Sequence, residues 1–166
     1  GPEIVGASAI SPRERDALRS ILRIISREPR IGSFSVAAFD LDHRDVIFRE
    51  EGVVQIDFAG LDAAINSVKF GTVSIEHLAQ KDVDTRFLVD LADVQTKQNR
   101  PDALIFVGPK VADDTRVNGE FLKKVGDIEC PVFYLSYSTA SRYPWTDLIG
   151  SAVKRWRGHE FNVSKP

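Results

Sequence analysis

The sequence predicts a three-layer α/β domain with a doubly wound, mostly parallel sheet of about six strands and one antiparallel edge strand. Three observations favour this class. Strand-like segments alternate with amphipathic helical segments, which is the order that parallel sheets require. Residues 102–108 (DALIFVG) form a nearly unbroken apolar run, typical of a strand covered on both faces. Two β-rich segments flank the polar pair Asp42-His43, which predicts one hairpin.

The first half of the chain predicts one well-marked helix between strands. Residues 3–10 (EIVGASAI) are short, apolar and rich in small side chains, as in a buried strand. Ser11 is a suitable N-cap for the next helix, because Pro12 fits the first helical position and Glu14 completes a capping box. Pro29 ends this helix. Its buried face is predicted to be the apolar stripe at helical spacing, which consists of Leu18, Ile21, Leu22 and Ile25.

The hairpin and a second helix follow. Residues 33–41 (SFSVAAFDL) and 44–50 (RDVIFRE) are rich in β-branched and aromatic side chains, as strands are. Residues 58–68 predict a helix that ends near Gly71.

The second half continues the alternation of helices and strands. Its predicted elements are a helix from about residue 75 or 84 to 98, a strand at 102–108, a short helix at 118–128, a strand at 131–138, a helix at 144–158 and a strand at 159–166. Pro101 stops the first of these helices. Pro144 lies near the start of the last helix, and Gly158 is the glycine expected to end it.

Composition narrows the functional class. At 166 residues, with 43% hydrophobic and 28% charged residues, the chain predicts a single globular domain over residues 1–166. The net charge of −2 lacks the basic excess of a nucleic-acid binder. No apolar run reaches the length of a membrane span. The chain begins Gly1-Pro2, as a processed product does, so removal of an export signal is one alternative for its origin.

The basic and aromatic residues near the end of the chain could suggest single-stranded nucleic acid. Lys154, Arg155 and Arg157 interleave with Trp156 and Phe161. The spacing favours a packed helix end instead, because cations in the last helical turn interact favourably with the helix dipole.

Motifs for catalysis are missing from the sequence. The first loop, residues 5–14 (VGASAISPRE), has one glycine and no lysine, so it fits neither a dinucleotide loop nor a nucleoside triphosphate loop. No serine lies in a Gly-x-Ser-x-Gly elbow. His43, His77 and His159 have no metal-type partner three or four residues away, and Cys130 is expected to be a small buried residue. We therefore predict no catalytic residues, no bound metal and no cofactor.

Residues 70–79 (FGTVSIEHLA) present a Gly-Thr step followed by a short amphipathic helix. Together with the order of the other elements, this resembles the von Willebrand factor type A domain, in a divergent bacterial branch of that family. The resemblance covers nearly the whole chain. It includes the first strand and its capped helix, the hairpin, the strand DALIFVG and the closing segment DLIGSAVKRWRGHEFNV.

The family resemblance implies a metal site at the carboxyl edge of the sheet, and this sequence departs from it. The family pattern is Asp-x-Ser-x-Ser after the first strand, a later threonine, and an aspartate after the fourth strand. Ser8 and Thr72 match hydroxyl positions, whereas Gly6, Ile10 and the pair Gly108-Pro109 replace the other ligands. A divalent cation needs anionic oxygen ligands. The resemblance therefore implies a degenerate metal-ion-dependent adhesion site, unless Asp113 or Asp114 supplies the missing charge.

We expect a non-enzymatic protein-interaction module whose partner, a protein of unknown identity, binds at this edge. The residues expected to contact it are Ser8, Thr72, Gly108, Pro109, Tyr143 and Trp145. The basis is fold analogy and the location of ligands in open α/β sheets. The alternative is a small-molecule or nucleotide-binding enzyme of doubly wound type, in which Ser8, Thr72 and Ser136 bind phosphate or sugar at helix N-termini. A structural domain of a larger assembly is a third alternative.

Overall fold

The computed structural model describes residues 3–5, 12–40, 44–67, 72–74, 83–109, 120–137 and 147–162. These residues form an α/β structure that divides into two compact units, Gly1–Ser74 and Ile75–Pro166. The first unit contains β1 (Glu3–Val5), α1 (Pro12–Ser26), β2 (Phe34–Asp40), β3 (Asp45–Val53), α2 (Phe58–Ser67) and β4 (Thr72–Ser74). The second contains α3 (Val83–Asn99), β5 (Leu104–Pro109), α4 (Glu120–Lys123), β6 (Val132–Tyr137), α5 (Leu148–Arg155) and β7 (His159–Asn162).

Each described element has the type that the sequence predicts, except β4: a strand at Thr72–Ser74 was not predicted, because residues 70–79 were expected to form a Gly-Thr step followed by a short helix. α1 starts at Pro12, as expected, and α2 spans nearly all of its predicted range. α3 begins at Val83, next to the later of its two predicted starts. Residues 75–82, the capping residue Ser11 and the hairpin tip Asp42-His43 lie outside the described residues.

The predicted sheet is replaced by three smaller ones among the described strands. They are the antiparallel pair β1-β4, the antiparallel hairpin β2-β3 and the parallel trio β5-β6-β7. The prediction of one hairpin and of parallel pairing in the second half is confirmed. The position expected for β1, inside a parallel sheet, is corrected: Val5 pairs with Thr72 in antiparallel register. With three residues in each strand, this pairing cannot be read from local sequence patterns.

In the first unit, polar contacts link the two helices. Arg19 Nη2 lies 2.9 Å from Asp62 Oδ2, and Arg15 donates a hydrogen bond to Asn66. These α1 residues follow at helical spacing, so α1 presents one charged face to α2. Among the residues of this unit that the structure describes, the buried apolar side chains are Ile56, Leu61 and Ile65.

The core of the second unit lies between the parallel strands and the helices α3 and α5. Phe106 of β5 and Trp156 at the end of α5 stack with ring centroids 6.1 Å apart and planes within 7°. The remaining buried apolar residues of the unit are Leu88, Leu91, Ala92, Leu122, Val132, Tyr134, Leu148, Ile149, Ala152 and Val153. The interpretation of the basic and aromatic end of the chain as a packed helix end is therefore confirmed for Trp156, which is buried.

The two faces of the parallel sheet differ in burial. Phe106 and Tyr134 are in register and buried on one face. The alternate residues are apolar but more accessible on the other face, where Ile105 is 40% exposed and Phe161 is 53% exposed. Successive side chains in a strand point to opposite faces, so Ile105 and Phe161 share this second face of the sheet.

The corner between α5 and β7 differs from the sequence-based prediction in the residue that adopts the left-handed conformation. Gly158 was expected to be the left-handed residue that ends the helix, but Arg157 takes that conformation with φ of 60°. The Gly158 N–H donates to the Val153 carbonyl at 2.9 Å, and the Arg157 N–H donates to the Lys154 carbonyl at 3.0 Å, which is a Schellman motif. Gly158 is needed for space, because a methyl group there would lie 2.5 Å from the carbonyl oxygen of Val132.

Arg155 ties α4 and the segment after it to α5. Its Nε donates to the carbonyl of Leu122 at 2.9 Å, its Nη2 donates to the carbonyl of Val125, and its Nη1 lies 3.0 Å from Asp127 Oδ1. The indole N–H of Trp156 donates to the carbonyl of Gly126 at 3.2 Å. The sequence explained Arg155 by the helix dipole alone. The structure assigns it tertiary bonds to carbonyl groups that would otherwise lack these donors.

Replacing Gly158 with alanine should destabilise the protein by about 1–3 kcal/mol, because the added methyl group forces the Val132 backbone to move. Gly126→Ala is the matched control, since no atom lies within 4 Å of the position of its added methyl group. We expect the control to leave stability unchanged or to raise it slightly. Urea unfolding of both variants measures the difference. Equal midpoints would contradict the close approach.

Arg155→Ala should lower the free energy of unfolding by about 2 kcal/mol, because two carbonyl groups lose a charged donor. Lys154→Ala on the same helix is the control, since Lys154 is exposed, and it should change stability by less than about 0.5 kcal/mol. The measurement is again urea unfolding. A loss of the same size in both variants would show that Arg155 acts only through the helix.

Candidate functional site

The structure describes only part of the predicted site. Gly108 and Pro109 are the last two residues of β5, and Thr72 is the first residue of β4. Ser8, Tyr143 and Trp145 lie outside the described residues, as do Gly6, Ile10, Asp113 and Asp114. Of the predicted residues, the structure brings Gly108 and Pro109 together on one strand end.

The carboxyl edge of the parallel sheet is formed by the ends of β5 and β6. Gly108 is in register with Ser136, and Pro109 with Tyr137. β6 ends at Tyr137, and the next residue that the structure describes is Asp147, immediately before α5. A helix that follows a parallel strand starts at the carboxyl edge of that strand, which is where ligands bind in open α/β sheets.

Ser136 is the buried polar residue at this edge. Its side chain has no exposed surface, and its Oγ donates a hydrogen bond to Glu160 Oε1 at 2.9 Å. Glu160 belongs to β7 and pairs in register with Tyr134. The bond therefore joins neighbouring strands on the same face of the sheet as the helix α5.

Asp147 caps the first turn of α5. Its backbone is extended, with φ of −80° and ψ of 124°, and its carboxylate accepts a hydrogen bond from the Gly150 N–H at 3.2 Å. Its carbonyl accepts the first helical bond, from Ser151 N–H at 2.8 Å. The sequence placed the start of this helix near Pro144 and missed the cap. An aspartate directly before the apolar pair Leu148-Ile149 is the signal that could have located it.

The two carboxylates meet at Gly150. A methyl group on Gly150 would lie 3.1 Å from Asp147 Oδ2 and 3.4 Å from Glu160 Oε2. A glycine at this position therefore leaves room for both carboxylates beside the first turn of α5, whose positive dipole end stabilises negative charge. We call Ser136, Asp147, Gly150 and Glu160 the rim cluster. Of these four residues, the sequence pointed only to Ser136, as a phosphate ligand in the alternative function.

The described edge does not assemble a nucleophile with a base. His159 is in register with Phe133 and lies beside its ring, with centroids 6.3 Å apart. Ser136 and His159 are thus on opposite faces of the sheet. Cys130 precedes β6, at the opposite end of the strand, and partial burial raises the pKa of its thiol, an effect that the Asp102 carboxylate reinforces. Neither arrangement activates a nucleophile at the rim.

Two further properties concern metal ligands and membrane-spanning helices. Within the described part of the chain, no three side chains of His, Cys, Asp or Glu come together as metal ligands would. None of the helices within the described ranges is both long and apolar enough to cross a lipid bilayer.

Comparison of the chain with protein-family models, with curated proteins and with solved structures returned no match.

Asp147→Ala should lower the free energy of unfolding by about 1 kcal/mol, because the Gly150 N–H loses its acceptor. Asp147→Asn is the matched control. Its side-chain oxygen still accepts this bond, and asparagine caps helices as well as aspartate does, so the control should retain nearly all of the stability. Thermal and urea unfolding of both variants test the cap. An equal loss in both would mean that charge, and not capping, holds this turn.

Proposed function

We propose that the chain is a non-catalytic protein-interaction module that binds a partner protein at the carboxyl edge of the β5-β6-β7 sheet. The observation that carries the proposal is that the polar side chains at this edge form hydrogen bonds within the fold. Ser136 is bonded to Glu160, and Asp147 is bonded to the first turn of α5. These polar groups stabilise the fold, which suits a recognition surface. No described side chain at this edge remains positioned to carry out a reaction.

The place of Tyr143 and Trp145 in the sequence supports a partner at this edge. Tyr143 and Trp145 belong to residues 138–146, which connect Tyr137 at the end of β6 to Asp147 at the start of α5. Both ends of that connection are at the carboxyl edge. Tyrosine and tryptophan are enriched in protein interfaces, and they supply much of the binding energy there.

The electrostatics of the rim cluster disfavour the alternative of a nucleotide-binding enzyme. A phosphate at the N-terminus of α5 would need free N–H donors. Asp147 already accepts from Gly150 N–H, and Glu160 places a second carboxylate oxygen beside the same residue. Ser136, the predicted phosphate ligand, is buried and donates to a carboxylate. Two negative charges would repel the phosphate.

The family assignment belongs to the same proposal. A doubly wound sheet of the von Willebrand factor A type is supported by the parallel order of β5, β6 and β7 and by apolar residues on each face of that sheet, such as Phe106 on one and Ile105 on the other. The metal-free state is supported by Gly6, Gly108 and Pro109, which occupy positions where the family carries carboxylates or their neighbours. Recognition without a bridging cation would then depend on shape and aromatic contacts.

The double variant Tyr143→Ala/Trp145→Ala should lose its partner, because it removes the aromatic area from the β6–α5 connection. The full chain serves as bait in an extract of its source cells, and bound proteins are quantified by mass spectrometry. We expect recovery of the partner to fall by about tenfold or more. Lys97→Ala is the control, since Lys97 is an exposed residue of α3 that forms an ion pair with Asp93 on the same helix, and it should leave recovery unchanged.

Two results would contradict the proposed function. One is equal recovery of the partner by the double variant and by the control. The other is micromolar binding of a nucleoside triphosphate or a divalent cation to the purified wild-type chain in calorimetric titration, if that binding is lost in Glu160→Gln. The second result would instead support the enzyme alternative or an intact metal site.

A further inference from the structure

We draw no further inference here: the strongest candidate, the apolar second face of the β5-β6-β7 sheet that Ile105 and Phe161 share, carries no proposal because nothing in the structure shows what covers it.

Discussion

The contact of α5 with the parallel strands is the constraint on which the second unit depends. Trp156 stacks on Phe106, and the backbone of Gly158 passes against the carbonyl of Val132. This close passage directs the chain out of α5 into β7, parallel to β6. Only with β7 in that register can Glu160 reach Ser136. The geometry of the rim cluster is thus a consequence of packing at the other end of the helix.

The carboxyl edge that we propose for recognition carries negative charge. At the rim, carboxylates are held by a capped helix and a buried hydroxyl, so negative charge is fixed in position by bonds within the fold.

Local patterns in the sequence were sufficient to predict the type and order of the described elements other than β4, because helical and strand periodicities are properties of neighbouring residues. They were not sufficient for sheet topology, since the pairing of Val5 with Thr72 joins short strands far apart in sequence. For the rim, the sequence pointed to the carboxyl edge of the sheet and to Ser136, but not to Asp147, Gly150 or Glu160. Asp147 had a local capping signal that could have been used, whereas Glu160 reads as an ordinary strand residue until β7 is placed beside Ser136.

The corner Trp156-Arg157-Gly158 has a consequence for recognising distant relatives of this chain. Trp156 places an aromatic ring in the core, Arg157 has a left-handed backbone conformation, and Gly158 has the smallest possible side chain. The middle position tolerates many residue types at a modest energetic cost, whereas any side chain at the third forces the Val132 backbone to move. In a relative with this architecture we therefore expect an aromatic residue followed two positions later by glycine, between a helix and a short strand.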